Sequence, residues 1–197
     1  MAPHAAKMGK EQDAVAVRFA FHEADSSRWR DLERLFEAPG GPKHCWCMVW
    51  RSMPKGASRA DKQAKKAALQ GLVRRNMPIG ILGYLGGEPA AWCSIAPKTT
   101  YRDLGGVADP GEDPAKVWAV VCFFVPRRLR GQGVMKQLLE AAIEHAKGNG
   151  AAAVEAYPVD PGSPSYRFMG FTTAFTAAGF REVGKAGTRR HVMRLAL

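Results

Sequence analysis

Three arginines and two glycines lie within seven residues, where an apolar run ends and an amphipathic segment begins. Arg127, Arg128 and Arg130 precede or flank Gly131 and Gly133. The first turn of a helix leaves backbone N–H groups without partners, and the helix dipole adds positive charge there. Glycine lets the backbone approach a ligand closely and adopt positive φ angles. Phosphate groups satisfy both features, so this corner predicts an anion-binding site.

Two common phosphate-binding loops do not match this corner. Nothing in the chain fits G-x-x-x-x-G-K-[ST], and Lys136 stands where the third glycine of G-x-G-x-x-G would follow Gly131 and Gly133. The spacing that fits is R-x-x-G-x-G, at Arg128, Gly131 and Gly133. With the apolar strand "VWAVVCFFV" before it and a helix after it, the chain resembles the GCN5-related N-acetyltransferases (GNAT), whose acyl-CoA motif is [QR]-x-x-G-x-[GA].

The resemblance extends beyond this motif. It covers roughly Ala14 to Leu197 and is strongest from Val117 onward, where a later helix ends in "AAGF" before another strand. The segments "CWCM", "YLGGEPAAWCSIAP" and "VVCFFV" are similar to a subgroup of the family that is often left without an assigned substrate.

The resemblance implies acetyl-CoA as co-substrate and no metal. The backbone from Arg128 to Val134 would wrap the coenzyme's pyrophosphate. The edge of the strand at Phe123 to Val125 would pair with pantetheine, and an N–H near Phe124 or Val125 would polarise the thioester carbonyl. The coenzyme-binding residues implied in this way are Phe123, Phe124, Val125, Arg128, Leu129, Arg130, Gly131, Gln132, Gly133 and Val134.

The chain departs from the family pattern at the proton donor. Many members carry a tyrosine four residues before the glycine of the last helix, and here that position is Phe175. Tyr157 and Tyr166 are the first substitutes, with strand packing and loop surface as their respective alternatives. Glu155 is the candidate base, with a solvated or salt-bridged carboxylate as its alternative. Thr172 and Thr173 are further hydroxyl candidates, or helix caps.

The function implied is acetyl transfer from acetyl-CoA to a primary amine of a small molecule or peptide. An alternative is a CoA-binding protein without catalysis, which Phe175 favours. A third class, a nucleic-acid-binding module, rests only on the charge of 29 basic against 18 acidic residues, or +11. No recognisable nucleic-acid motif supports this third class, so a nucleic-acid partner is not expected.

The rest of the sequence predicts a cytoplasmic protein with no membrane partner. It has no apolar stretch of about 20 residues and no signal peptide at its start. A homodimer is compatible with these observations. The four cysteines are expected to be reduced thiols in apolar surroundings, with a metal site or disulfide as minority alternatives.

The elements that must position the site form a single mixed α/β domain, residues 1–197, with residues 1–12 as a flexible N-terminal segment and the acyl-CoA core at about 117–197. The fold class expected is the GNAT fold, a central mixed, mostly antiparallel sheet with splayed parallel strands 4 and 5, flanked by helices. Predicted strands include Ala14–Phe21, Ala152–Val159 and a hairpin around Gly86-Gly87.

Three further expectations concern the first half of the chain. "CWCMVW" alternates and is predicted to be extended, with Cys45, Cys47 and Val49 on one face. The second helix is predicted to start at a capping box of Ser58 and Asp61. The family resemblance implies an amine site across the splay. Trp29, Trp46, Trp50 and Trp92 would line this site unless they pack in the core, and Glu23 or Asp25 would attract the amine or serve as caps.

Overall fold

The computed structural model describes residues 18–106 and 111–197. The predicted N-terminal segment and the first part of the strand predicted at Ala14–Phe21 lie outside the described residues. The strands are β1 Ala20–Glu23, β2 Ile81–Leu85, β3 Glu88–Pro97, β4 Val117–Phe124, β5 Ala153–Ala156, β6 Arg181–Ala186 and β7 Arg190–Ala196. The α-helices are α1 Trp29–Glu37, α2 Lys62–Arg74, α3 Val134–Gly148 and α4 Thr172–Ala177.

One seven-stranded sheet, of order β1-β2-β3-β4-β5-β7-β6, organises these elements. Every neighbouring pair is antiparallel except β4 and β5, which run parallel from Val117 opposite Ala153 to Val120 opposite Ala156. Beyond Val120 the two strands part, while β4 stays paired with β3 as far as Phe124. The predicted fold class is therefore confirmed, including the splay that leaves one edge of β4 open.

Both faces of β4 are covered, which explains its unbroken apolar sequence. Ala119 and Val121 lie in the core cluster that contains α1 and α2, and Trp118 and Val120 lie in the cluster that contains α3 and α4. On α3, the predicted apolar stripe is buried through Leu138, Leu139, Ala142 and Ala146.

A β-bulge changes the direction of the last side chains of β4. Ser94 pairs with Cys122 and Ile95 pairs with Val120, so Val121 has no partner on β3. Because the bulge inserts one residue, Val121 and Cys122 belong to the same core cluster, and Phe123 packs on the α3 side. The open edge of β4 thus follows directly after a local twist in the strand.

The expectation of an extended "CWCMVW" segment is wrong. Residues 40–51 form turns and bends, and Trp46 and Cys47 adopt φ angles of 46° and 50°. Trp46 packs 5.8 Å from the ring of Trp29 and 5.2 Å from the ring of Phe36. Burial of this indole favours the left-handed turn, although such angles are costly outside glycine.

Two predicted boundaries also shift. The side chain of Asp61 accepts a hydrogen bond from the Gln63 N–H at 2.8 Å and caps α2, which begins at Lys62, while Ser58 closes its own turn with the Ala60 N–H. The strand predicted at Ala152–Val159 is shorter, Ala153–Ala156, and beyond it Val159 forms isolated bridges with Phe171 and Arg190. The Gly86-Gly87 hairpin is confirmed, with φ angles of 59° and 82°.

In the described part of the chain, no helix is long and apolar enough to cross a bilayer.

Candidate functional site

The strand-to-helix corner after β4 has the backbone geometry of an anion-binding turn. A 3₁₀ turn at Arg127–Leu129 leads into Gly131 and Gly133, whose φ angles are 75° and 73°. A Cβ atom built on either glycine meets no heavy atom within 4 Å, so both face open space. The first turn of α3 has neither an acidic residue nor a side-chain cap, which leaves its N–H groups to attract an anion.

This corner borders a cleft of about 460 Å³. Eight of the ten residues predicted to bind the coenzyme line the cleft: Phe123, Phe124, Val125, Leu129, Arg130, Gly131, Gly133 and Val134. Arg128 and Gln132 do not. The cleft therefore joins the open end of β4 to the glycine turn in one continuous surface.

Arg128 and Gln132 instead shape the turn and its neighbouring surface. The Gln132 side-chain amide donates to the Arg128 carbonyl at 2.9 Å, and Arg130 Nε donates to the Val125 carbonyl at 2.9 Å. Arg128 lines an adjacent groove of about 530 Å³ together with Arg127, Arg130 and Arg34. Within residues 18–106 and 111–197, no carboxylate forms an ion pair with Arg127, Arg128 or Arg130. Their charge is available to a phosphate.

Four cleft residues were not predicted from the sequence: Met135, Arg167, Phe168 and Phe171. Three of them come from the connection between β5 and α4, whose path no local pattern reveals. That connection approaches α3 closely at Gly170, where φ is 88° and a Cβ atom would lie 2.6 Å from Met135 Cε. Glycine at this position was the one available signal of a close approach.

Phe175, which replaces the usual tyrosine, is fully buried in α4. Its ring lies 6.1 Å from Phe123, a cleft residue, and 5.2 Å from Phe180. The position therefore adjoins the strand end where the thioester is expected. It supplies packing and no proton.

Glu155 and Tyr157 form a buried hydrogen-bonded pair on β5 and just after it. The Tyr157 hydroxyl donates to Glu155 Oε2 at 2.6 Å. Glu155 is 2% exposed and also forms ion pairs with Lys98 at 2.7 Å and Arg194 at 3.1 Å. Burial, and next the hydrogen bond to Glu155, raises the pKa of Tyr157 well above its ordinary value. The phenol therefore keeps its proton, which is directed at the carboxylate.

Tyr166 lies in the connection between β5 and α4, next to a residue that lines the cleft. It is 37% exposed, and its ring lies 6.3 Å from that of Phe168, which lines the cleft. Its φ angle of 59° is unusual for a tyrosine. Thr172 and Thr173 are the first residues of α4, and neither caps the helix, because the N-cap position belongs to Phe171.

The four tryptophans proposed for the amine site separate into two groups. Trp29, Trp46 and Trp92 are buried in the core, whereas Trp50 is half-buried and lies 6.2 Å from the ring of Tyr166. Of the two acidic candidates, Asp25 caps the 3₁₀ turn Ser26–Arg28 and pairs with Arg28 at 3.2 Å. Glu23 ends β1.

All four cysteines are free thiols, as predicted. Cys47 Sγ lies 3.2 Å from Cys122 Sγ and accepts a hydrogen bond from the Trp92 indole at 3.0 Å. A hydrogen bond to Cys122 and burial raise the pKa of Cys47, burial raises that of Cys93, and a hydrogen bond to Cys47 and burial raise that of Cys45. Among the described residues, no cluster of three or more His, Cys, Asp or Glu is arranged to hold a metal ion.

These pKa directions predict slow thiol chemistry in the native protein. Because their pKa values are raised, Cys45, Cys47 and Cys93 should have smaller thiolate fractions at pH 8 than in the unfolded chain. Only the thiolate attacks a disulfide reagent, so these thiols should react slowly. We expect native labelling by Ellman's reagent to be at least about 10-fold slower than labelling in urea for these three thiols, with burial adding to the effect. Mass spectrometry of time points would identify the labelled residues. Rapid native labelling of any of the three would contradict the prediction.

Comparison with known proteins places the corner and cleft in context. A family model described as the acetyltransferase (GNAT) family matches residues 28–171. Comparison with curated protein sequences gave no significant match. Three solved structures illustrate the likeness of the fold, each aligning with about nine-tenths of this chain.

The first is aminoglycoside acetyltransferase AAC(6')-Ib in complex with paromomycin and acetyl-CoA, at a TM-score of 0.59 and 16% identity over 90% of this chain and 93% of that one. The second is the PaiA N-acetyltransferase of Thermoplasma acidophilum in complex with coenzyme A. Its TM-score is 0.55 and its sequence identity is 12%, over 91% of this chain and 99% of that one. The third is a ribosomal-protein-alanine N-acetyltransferase from Brucella melitensis. Its TM-score is 0.55 and its sequence identity is 16%, over 90% of this chain and 99% of that one.

Proposed function

The chain belongs to the GNAT family of acetyltransferases, and from this premise we propose that it moves an acetyl group from acetyl-CoA to a primary amine of a small molecule or peptide. One observation carries the proposal: the open edge of β4 runs into a glycine turn at the uncapped start of α3, along one cleft. The edge offers amide partners for pantetheine, and the turn offers N–H groups for the pyrophosphate.

The proposed reaction takes place by direct attack in a ternary complex. The amine nitrogen attacks the thioester carbonyl carbon, and the resulting oxyanion accepts a hydrogen bond from a main-chain N–H near Phe124 or Val125. The C–S bond then breaks, the CoA thiolate leaves, and the amine nitrogen loses a proton. The products are the acetylated amine and coenzyme A.

We propose Tyr166 as the donor that protonates the leaving thiolate. Its hydroxyl is not engaged by a carboxylate in the described structure, and its ring adjoins Phe168 at the cleft. Tyr157 remains the second candidate, but its proton is directed at Glu155. A proton donor that is free to move toward the sulfur suits general-acid catalysis better than one held in a buried pair.

Glu155 stays our candidate for the base, with a geometric restriction. Its oxygens already accept from Tyr157, Lys98 and Arg194, so a substrate amine must displace a partner or act through water. A cavity of about 220 Å³ borders Glu155 and Arg102, which gives room for such a water.

Replacing the two tyrosines one at a time tests the donor. For Tyr166→Phe we expect kcat to fall by about 100-fold with an unchanged Kd for acetyl-CoA, because only the proton transfer is removed. Tyr157→Phe should change kcat much less. The measurement is release of free thiol with a panel of amines, and acetyl-CoA affinity by calorimetry. Equal kcat values for wild type and Tyr166→Phe would remove Tyr166 as the donor.

The same assay addresses a second candidate function, a CoA-binding protein without catalysis. The buried Phe175 beside Phe123 favours it, because the usual proton donor is absent there. Tight binding of CoA without thiol release across a broad amine panel would support this second function. Absence of CoA binding would contradict both.

A further inference from the structure

An arginine at the start of β7 lies among three aromatic rings. The guanidinium carbon of Arg190 is 4.3 Å from the ring centroid of Trp50, 5.6 Å from that of Tyr166 and 5.9 Å from that of Tyr157. Its Nη1 donates to the Leu104 carbonyl at 2.8 Å. Ring contacts and a carbonyl hold the guanidinium in place but do not neutralise its charge.

A second arginine holds the same tryptophan. The guanidinium carbon of Arg102 lies 5.8 Å from the Trp50 ring, its Nη2 donates to the Val49 carbonyl at 2.6 Å, and its backbone N–H donates to the Trp50 carbonyl at 2.8 Å. We name Trp50, Arg102, Tyr166 and Arg190 the arginine–aromatic surface. Three of its residues come from separate connections of the chain, and Arg190 is the first residue of β7.

The two arginines of the arginine–aromatic surface, Arg102 and Arg190, are not ion-paired in the part of the chain that the structure describes. Partial burial lowers the pKa of Arg190 and outweighs the raising influence of Tyr166, Tyr157 and Asp103. The Trp50 indole Nε1 is enclosed and has no hydrogen-bond partner in the described structure. Arginines without ion pairs and an indole N–H without a partner are both suited to binding a negatively charged hydrogen-bond acceptor.

The arginine–aromatic surface is continuous with the proposed coenzyme cleft. Trp50 contacts Tyr166 at 6.2 Å between ring centroids, and Tyr166 contacts Phe168, a cleft residue, at 6.3 Å. A molecule seated on this surface would therefore lie beside the cleft. A polycationic amine would be repelled there, because like charges brought together without neutralisation disfavour binding.

We propose that the amine acceptor carries an anionic group, a carboxylate or phosphate, which Arg190 and Arg102 bind against Trp50. This inference rests on the proposed function and names the class of its acceptor. Guanidinium groups bind planar anions through paired N–H bonds, and the aromatic rings keep the two arginines oriented. The positive charge also favours the neutral form of a nearby amine, which is the form that attacks the thioester.

Matched pairs of amines test the acceptor class by thiol release. β-Alanine is compared with β-alaninamide, L-phenylalanine with L-phenylalaninamide, and phosphoethanolamine with ethanolamine; spermidine represents cations. We expect kcat/KM to be at least about 10-fold higher for the anionic member of at least one pair. The first two pairs report on carboxylate and the third on phosphate.

The matched variants are Arg190→Gln and its neighbour Arg189→Gln. Arg189 is exposed, and among the described residues its side chain donates to the Ser165 hydroxyl at 2.9 Å. Arg190→Gln should lower kcat/KM for the anionic amine by at least about 10-fold more than for its uncharged partner, with an unchanged Kd for acetyl-CoA; Arg189→Gln should leave both the preference and the Kd at wild-type values. Arg190→Lys retains charge without the planar fork and should be intermediate. If Arg190→Gln does not fold, Arg102→Gln takes its place.

Direct binding separates this inference from the proposed function. Quenching of Trp50 fluorescence by the same amines, with Trp50→Phe as the blank, gives affinities without turnover. Acetyl-CoA binding with turnover that favours neutral or cationic amines would overturn the inference and leave the proposed function intact. Loss of acetyl-CoA binding would overturn the proposed function, and the acceptor class with it, even if saturable quenching showed that the arginines hold anions.

Discussion

Replacing Gly131 or Gly133 with aspartate is expected to weaken acetyl-CoA binding by about 100-fold or more. Each glycine faces open space beside the start of α3, so the new carboxylate would occupy and repel the position of the pyrophosphate. The positive φ angles of 75° and 73° add about 1 kcal/mol of strain, which a folded domain tolerates. Calorimetric titration with acetyl-CoA measures the loss, and thermal unfolding verifies the fold.

The matched control for these variants is Gly86→Asp. Gly86 also has a positive φ angle, 59°, and open space around its Cβ position, but it lies in the β2–β3 hairpin. The Gly86→Asp substitution introduces the same charge and similar backbone strain away from the cleft. Its affinity for acetyl-CoA should therefore stay within about twofold of wild type. Wild-type affinity in both Gly131→Asp and Gly133→Asp would show that this corner does not bind the diphosphate.

Glu155→Gln is expected to lower the free energy of unfolding by about 3 kcal/mol. Of the ion pairs formed within the described residues, Lys98 would lose its partner and Arg194 would keep the one with Glu112. Glutamine preserves the shape of the side chain, so the loss reports on charge in a buried setting. Urea unfolding at neutral pH measures it, and calorimetry should show an unchanged Kd for acetyl-CoA in the folded variant.

Glu140→Gln is the matched control, because Glu140 forms an exposed pair with Lys136 at 3.8 Å. We expect this variant to change the free energy of unfolding by no more than about 0.5 kcal/mol.

The two variants also distinguish a catalytic role of Glu155 from a purely structural one. Full stability of Glu155→Gln with a large loss of kcat would assign it to catalysis alone. A loss of stability that leaves kcat near that of wild type would assign it to the buried ion pairs alone.

The acceptor preference and the donor test address different atoms of the same reaction. Arg190 acts on a group of the amine substrate away from the reacting nitrogen, whereas Tyr166 acts on the sulfur. Both residues contact Trp50, so the kinetic effects of replacing either one should be compared with the effects of Trp50→Phe. Double-variant cycles would show whether the effects add, since residues that share a partner commonly do not.

The features that were predicted correctly are local in the chain. The unbroken apolar run of β4, the two glycines after it and the stripe on α3 lie within about thirty residues, so their periodicity and spacing determine strand, turn and helix together. The Gly86-Gly87 hairpin is local for the same reason. Eight of the ten predicted coenzyme-binding residues line the cleft because they follow one another along this unit.

The failures have a different physical origin. Alternation at Cys45 to Trp50 suggested a strand, but packing of Trp46 between Trp29 and Phe36 stabilises left-handed angles instead. Ser58 and Asp61 have the spacing of a capping box, yet Asp61 caps the helix alone. Local propensity is a weak determinant wherever a large buried side chain supplies more free energy than the backbone angle costs.

The sequence by itself determined a mixed α/β domain and the strand–glycine turn–helix unit, because both depend on the order and period of neighbouring residues, and the family resemblance of that unit implied the GNAT fold. Only the tertiary structure decided that Tyr157 faces Glu155, that Lys98 and Arg194 surround that carboxylate, and that Arg190 lies against Trp50. These contacts join residues that are mostly far apart in the chain. Their formation depends on which connections the sheet order brings together, and no periodic pattern encodes that arrangement.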